Sequence, residues 1–99
     1  MEKYTPHYPL AEIQAQMTTV PAMNLTASAR SGIRAVGMAQ ADALTVVRSL
    51  TRRDFYKSMT THADHRVWQD MYHGWWQSLG LYIKFQQAGD YFVVSFKEL

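Results

Sequence analysis

The 99-residue chain has no cysteine, only three prolines, and only five glycines. Without cysteine there is no disulfide and no thiolate for a metal. That absence suits a reducing compartment, and the expected location is cytoplasmic. No apolar run approaches the ~20 residues needed to span a bilayer. The opening stretch MEKYTPHYPL lacks the basic-then-apolar order of a secretory signal, so no membrane association is expected. A strong charge of one sign is also missing. The net charge is +2, with four basic and three acidic residues in 1–50 and six and five in 51–99. Any nucleic-acid surface must therefore arise from local placement rather than from a bulk field. Internal repeats, low-complexity tracts and linkers are absent as well.

Apolar residues make up 47% of the chain and charged residues 18%, the balance of a folded protein rather than a disordered one. One domain over residues 1–99 is expected. Pro9 suits a helix start, with Leu10, Ile13 and Met17 on one face. Thr26 is placed to cap a second helix in which Ala29, Ile33 and Val36 recur, ended by Gly37. A third helix is expected from about Met38 to Leu50, burying Ala43, Val47 and Leu50. Thr51 with Asp54 then forms a capping box for one short turn.

Eleven of the thirteen aromatic residues lie after residue 50, where the apolar period changes to two. Leu81, Ile83 and Phe85 alternate with Tyr82, Lys84 and Gln86. Phe92, Val94 and Phe96 alternate with Tyr91, Val93, Ser95 and Lys97, and Ala88-Gly89-Asp90 supplies the turn between the two strands. Two less regular strands are expected at Phe55–Thr60 and Val67–Tyr72, joined by THADHR, with His73-Gly74-Trp75-Trp76 in a hairpin connection. The fold class is α+β, with N-terminal helices packed on one face of a C-terminal antiparallel sheet.

This parity leaves Tyr82, Lys84, Ser95 and Lys97 on the face away from the helices. Such a face is either an ordinary solvated surface or one that holds a phosphate and stacks a base. His62, Asp64 and His65, with His73 further on, offer imidazole and carboxylate groups of the kind zinc accepts. The spacing has low specificity, however, and no HExxH or Cys/His pattern accompanies it, so no metal and no cofactor are expected. Metal-free RNA cleavage is a second option. It needs a base for the 2′-hydroxyl, an acid for the 5′-oxygen and cations for the transition state. The residues alone leave His65, Lys57, Tyr82 and Lys97 all open for these roles. Trp68 reads as core, whereas Trp75 and Trp76 stack bases or cover a sheet edge against a protein partner, with packing of at least one of them the favoured alternative.

Several blocks resemble the MqsR toxins: EKYTPH at 2–7, DFYKSMTT at 54–61, DH at 64–65, WQDMY at 68–72, LYIK at 81–84 and VSFKEL at 94–99. The resemblance implies a RelE-like fold and a type II toxin that acts as a ribosome-independent endoribonuclease, cutting mRNA at GCU-type sites. It also implies a hetero-oligomer with an MqsA-like antitoxin that carries its own zinc and a helix-turn-helix, with DNA contacted only through that partner. The catalytic residues it implies are Lys57, Gln69, Tyr82 and Lys97. The residues themselves add His65 as a secondary candidate for the base, and Lys84, Trp75 and Trp76 as candidates for RNA binding. Lys57 and Gln69 alternate with Phe55 and Met59, and with Val67 and Met71. A sheet edge, a bulge or a curled sheet would reconcile this with the face of Tyr82 and Lys97. HGWWQS at 73–78 departs from the more basic stretch of the family, so its tryptophans either replace phosphate contacts or serve the antitoxin. A non-catalytic RelE-like binding module and a hydrolase built on His62, Asp64 and His65 are the competing readings.

Overall fold

In a computed structural model that describes all 99 residues, the helices precede the main sheet in the chain and cover one of its faces. The first, α1, spans Leu10–Gln16. It is followed by a 3₁₀ turn at Pro21–Met23, then α2 at Ala27–Ala35 and α3 at Gln40–Ser49. No helix is long and apolar enough to cross a membrane. Thr26 caps α2, its hydroxyl accepting the Ala29 N–H at 3.0 Å, and Gly37 leaves that helix with φ +76°. The expected capping box is formed, with Asp54 accepting the Thr51 N–H at 2.7 Å around the 3₁₀ turn Arg52–Asp54. Gln14 and Arg48 tie α1 to α3. The Gln14 amide donates to the carbonyls of Val47, Arg48 and Leu50, and Arg48 donates to that of Met17. Carbonyls that a helix end would leave unpaired are thereby satisfied.

The sheet is an antiparallel meander in the order β1-β2-β3-β4-β5: Glu2–Lys3, Phe55–Thr60, Trp68–Trp76, Leu79–Ala88 and Tyr91–Glu98. Leu81, Ile83, Phe85, Phe92, Val94 and Phe96 are buried against the helices, as their alternation predicts. Gly89 and Asp90 form the tight β4–β5 turn. Two features differ from expectation. The first is β1, a two-residue strand at the start of the chain with no apolar period to signal it. The second is the course of His73-Gly74-Trp75-Trp76, which continue β3, so that the turn falls at Gln77-Ser78 with Gln77 at φ +55°.

Gly74 misled because a glycine among aromatics reads as a turn. Its physical role is close approach. A Cβ there would lie 2.8 Å from the Ile83 side chain and 3.1 Å from that of Val46, where α3 crosses the sheet. Trp76 points to the helix side and packs against the core, whereas Trp75, on the other face, is 64% exposed.

One buried charge organises the N-terminal segment. The Asp70 carboxylate is fully buried and accepts from the His7 N–H (3.1 Å), the Tyr8 N–H (2.8 Å) and the Ser58 hydroxyl (2.6 Å). His7 stacks on Trp68, and the Met1 carbonyl accepts the Thr60 N–H. Residues 1–3 thus lie along the outer edge of β2, whereas His7 and Tyr8 are held against β3, where the Tyr8 hydroxyl also donates to the Trp68 carbonyl at 2.8 Å.

Candidate active site

The register sorts the face opposite the helices into four cross-strand rows. Met59, Gln69, Gln86 and Val93 make the first, and Lys57, Met71, Lys84 and Ser95 the second. His73, Tyr82 and Lys97 make the third, and Trp75 with Gly80 the fourth. The irregularity that brings Lys57 onto this face lies between Phe55 and Lys57. Phe55 pairs with Tyr72 and Lys57 with Met71, so Tyr56 is an extra residue. A bulge of this kind shifts side-chain parity by one. Phe55 consequently packs against the core while Lys57 and Met59 turn outward, and Ser58 and Thr60 are buried. Gln69 needs no bulge. It faces outward because its neighbour Asp70 is the residue turned to the interior, so the apolar Met59 and Met71 come to the open face as well. Met71 is nonetheless 3% exposed, with the Tyr82 hydroxyl bonded to its sulfur at 2.7 Å.

A cleft of about 500 Å³ opens over the third row, lined by Tyr56, Lys57, His73, Tyr82, Lys97, Glu98 and Leu99. This volume is within the range of small-ligand pockets. Three aromatic rings form its floor. The Tyr56 ring stacks on His73 (4.6 Å, 27°) and meets Tyr82 edge-on at 6.1 Å, and His73 lies 5.7 Å from Tyr82. An ammonium stands over each tyrosine: Lys57 Nζ is 5.3 Å from the Tyr56 ring, and Lys97 Nζ is 5.3 Å from the Tyr82 ring. Two cations therefore flank one aromatic cluster, an arrangement suited to a phosphate held beside a ribose or base.

The electrostatics assign protonation states. The Glu2 carboxylate accepts from Lys57 at 3.3 Å and from the Tyr4 hydroxyl at 2.9 Å. The bond to Glu2 holds the Lys57 ammonium above its ordinary pKa, so it stays a cation near neutrality. Glu2 is correspondingly lowered, by Tyr4 first and then by Lys57. Burial raises Tyr82, which keeps its phenol protonated and able to donate.

Of the residues singled out from the sequence, Lys57, Tyr82 and Lys97 meet at this cleft. Gln69 lies four residues from His73 along β3, roughly 13 Å at ~3.3 Å per residue, and its amide donates to Gln86 at 2.9 Å. Lys84 lies between the two and lines a smaller hollow with Ser28, Ser95 and Lys97. Trp75 extends the face on the far side of the cleft, its ring edge 3.3 Å from the position a Cβ on Gly80 would take. Trp76 is on the opposite face of the sheet. His65 is exposed in the β2–β3 loop beyond Trp68, and Trp68 is itself five residues along β3 from His73, roughly 17 Å. In the same loop Asp64 is engaged by the Arg66 guanidinium at 3.1 and 3.2 Å, and no three His, Asp or Glu side chains of the chain gather as a metal-holding group.

Tyr56, His73 and Glu2 belong to the site without having been singled out for it. His73 could have been found from the turn: a reversal at Gln77-Ser78 pairs it with Tyr82 by counting alone. Nothing local marks Tyr56, whose place depends on the bulge, or Glu2, whose place depends on Asp70.

Known proteins resemble this chain along nearly all of its length. The family described as "Motility quorum-sensing regulator, toxin of MqsA" matches residues 5–98. The mRNA interferase toxin MqsR of Escherichia coli (strain K12) is 36% identical over 98 residues, covering 99% of this chain and 99% of that one.

Proposed function

The chain belongs to the MqsR toxin family and is a toxin of the mRNA-cleaving kind, and from that premise we propose that it cuts RNA at the cleft between Lys57, Tyr82 and Lys97 without a metal ion. In this reading the ribose 2′-oxygen attacks the adjacent phosphorus and the 5′-oxygen leaves. The observation that carries it is the pair of ammonium groups flanking one aromatic floor. Lys57 and Lys97 neutralise the phosphate and the charge it gains in the transition state. Tyr82, kept as a neutral phenol, protonates the departing 5′-oxygen. Gln69 stands too far along β3 to reach the same ribose and reads a base edge of a neighbouring nucleotide, with GCU-type sites the expected preference. Lys84 contacts a flanking phosphate, and the exposed Trp75 stacks a base on the other side of the cleft. The partner is an MqsA-like antitoxin whose zinc belongs to its own fold.

The test is incubation of the purified chain with a defined RNA in EDTA, with the new ends mapped. The expected products are a 2′,3′-cyclic phosphate and a 5′-hydroxyl. Lys57→Ala and Lys97→Ala should each slow cleavage by about 10²- to 10³-fold, the usual effect of removing one transition-state cation or donor. A parent that does not cut indicates a non-catalytic binding module. Activity lost in EDTA and restored by a divalent cation overturns the metal-free chemistry, and undiminished cutting by both variants overturns the site.

A further inference from the structure

We propose that His73 is the catalytic base that takes the proton from the 2′-hydroxyl, an inference that rests on the ribonuclease reading of the cleft. His73 stands in the third row, paired across the strands with Tyr82, which is in turn paired with Lys97. Its ring stacks on Tyr56 and lies tilted beside Tyr82, and no protein group hydrogen-bonds its nitrogens. The side chain is half-buried and lines the cleft between the two ammonium groups that would hold the phosphate. A 2′-oxygen next to that phosphate is therefore within the reach of the imidazole.

The other groups facing His73 are poorer proton acceptors at neutral pH. From β2, Lys57 is held protonated by Glu2, and Tyr56 offers only a phenol oxygen, a weak base. From β4, Tyr82 is kept neutral by burial. From β5, Lys97 is an ammonium, and Glu98 pairs with Leu81, on the opposite parity from Lys97, and is exposed at the rim. From β1, the Glu2 carboxylate already accepts from Tyr4 and Lys57. Imidazole is the side-chain type in the cleft whose ordinary titration falls between pH 5 and 8.

The step balances. The imidazole takes the 2′-hydroxyl proton, the 2′-oxygen forms a bond to phosphorus, and the bond from phosphorus to the 5′-oxygen breaks with its electron pair on oxygen. The Tyr82 phenol supplies the proton to that oxygen. Solvent then returns a proton to the phenolate and removes one from the imidazolium, leaving the enzyme unchanged.

The test is single-turnover cleavage of an RNA oligonucleotide with one cut site, from pH 5 to 9, by the parent chain, His73→Phe, His73→Ala and Glu98→Gln. His73→Phe preserves a ring to stack on Tyr56, so it separates chemistry from packing. It should remain folded, bind the RNA as the parent does and lose about 10²- to 10⁴-fold in rate, the usual range for a general base. The parent rate should fall on the acidic side as an imidazole protonates, and added imidazole should restore part of the His73→Ala rate. Cutting by folded His73→Phe within a few-fold of the parent, with the acidic limb retained, overturns the assignment and leaves the ribonuclease reading standing. So does an acidic limb abolished by Glu98→Gln instead. A parent that cuts nothing sinks both.

Discussion

Replacing Asp70 by Asn keeps the size of the side chain and removes its charge, which isolates what the buried carboxylate does. Its Oδ1 accepts from the Ser58 hydroxyl and the His7 N–H, and its Oδ2 from the Tyr8 N–H. An asparagine can keep its carbonyl toward one side only. On the other, an NH₂ faces a donor, and two N–H groups are stranded in the interior. Hydrogen bonds to a charged group contribute about 1.5–3 kcal/mol each, and a buried unpaired donor costs about 1–3 kcal/mol. Burying a neutral amide costs less than burying a carboxylate, which offsets part of the loss. The net expectation is a destabilisation of about 2–4 kcal/mol. At ~4–8 °C per kcal/mol for a domain of this size, Tm should fall by at least about 8 °C. Urea unfolding at neutral pH measures the free energy directly, and Ser58→Ala, which removes one of the three bonds, should fall between the parent and Asp70→Asn. Amide exchange at His7 and Tyr8 should quicken in the variant more than exchange along β4. A loss below about 1 kcal/mol, or unchanged exchange at the N-terminal segment, refutes the role of Asp70 as the anchor of residues 1–8.

Tyr72 makes a second prediction, on the alkaline side. It is fully buried, no protein group bonds its hydroxyl, and burial pushes its pKa up to about 12. The folded state therefore holds this proton more tightly than the unfolded chain. Its contribution is fully present below the ordinary value near 10 and is lost as pH rises toward 12, amounting to about 3 kcal/mol for two units. Tyr72→Phe should match or exceed the parent in stability at pH 7 and lack that part of the alkaline loss in pH-dependent urea unfolding. The same alkaline profile in both proteins would contradict the assignment. Glu2→Gln releases Lys57 from its carboxylate partner. KM for RNA should fall by up to about five-fold at low salt, with the effect shrinking as ionic strength rises. An unchanged or higher KM would show that Glu2 does not compete with phosphate for Lys57.

The amino-acid sequence alone was enough for the helices, the two regular strands and the composition of the open face around Tyr82, Lys84, Ser95 and Lys97. Those features depend on local period and capping. Residues with a period of two leave every second side chain on one face, and Thr26 and the Thr51–Asp54 pair start their helical turns by pairing N–H groups within three residues of themselves. The family blocks added Gln69 and singled out Lys57 from the residues left open, although the alternation of each pointed it the wrong way. Only the tertiary structure decided the rest. The bulge at Tyr56 turns Lys57 outward, a polar residue at position 70 takes an interior place, and the turn at Gln77-Ser78 sets His73 opposite Tyr82. Each of these is a matter of register between segments, and register follows from which backbones can pair while α3 lies over Gly74 and Asp70 holds the N-terminal segment. No single segment carries that information, because it is the packing of distant parts of the chain that selects it.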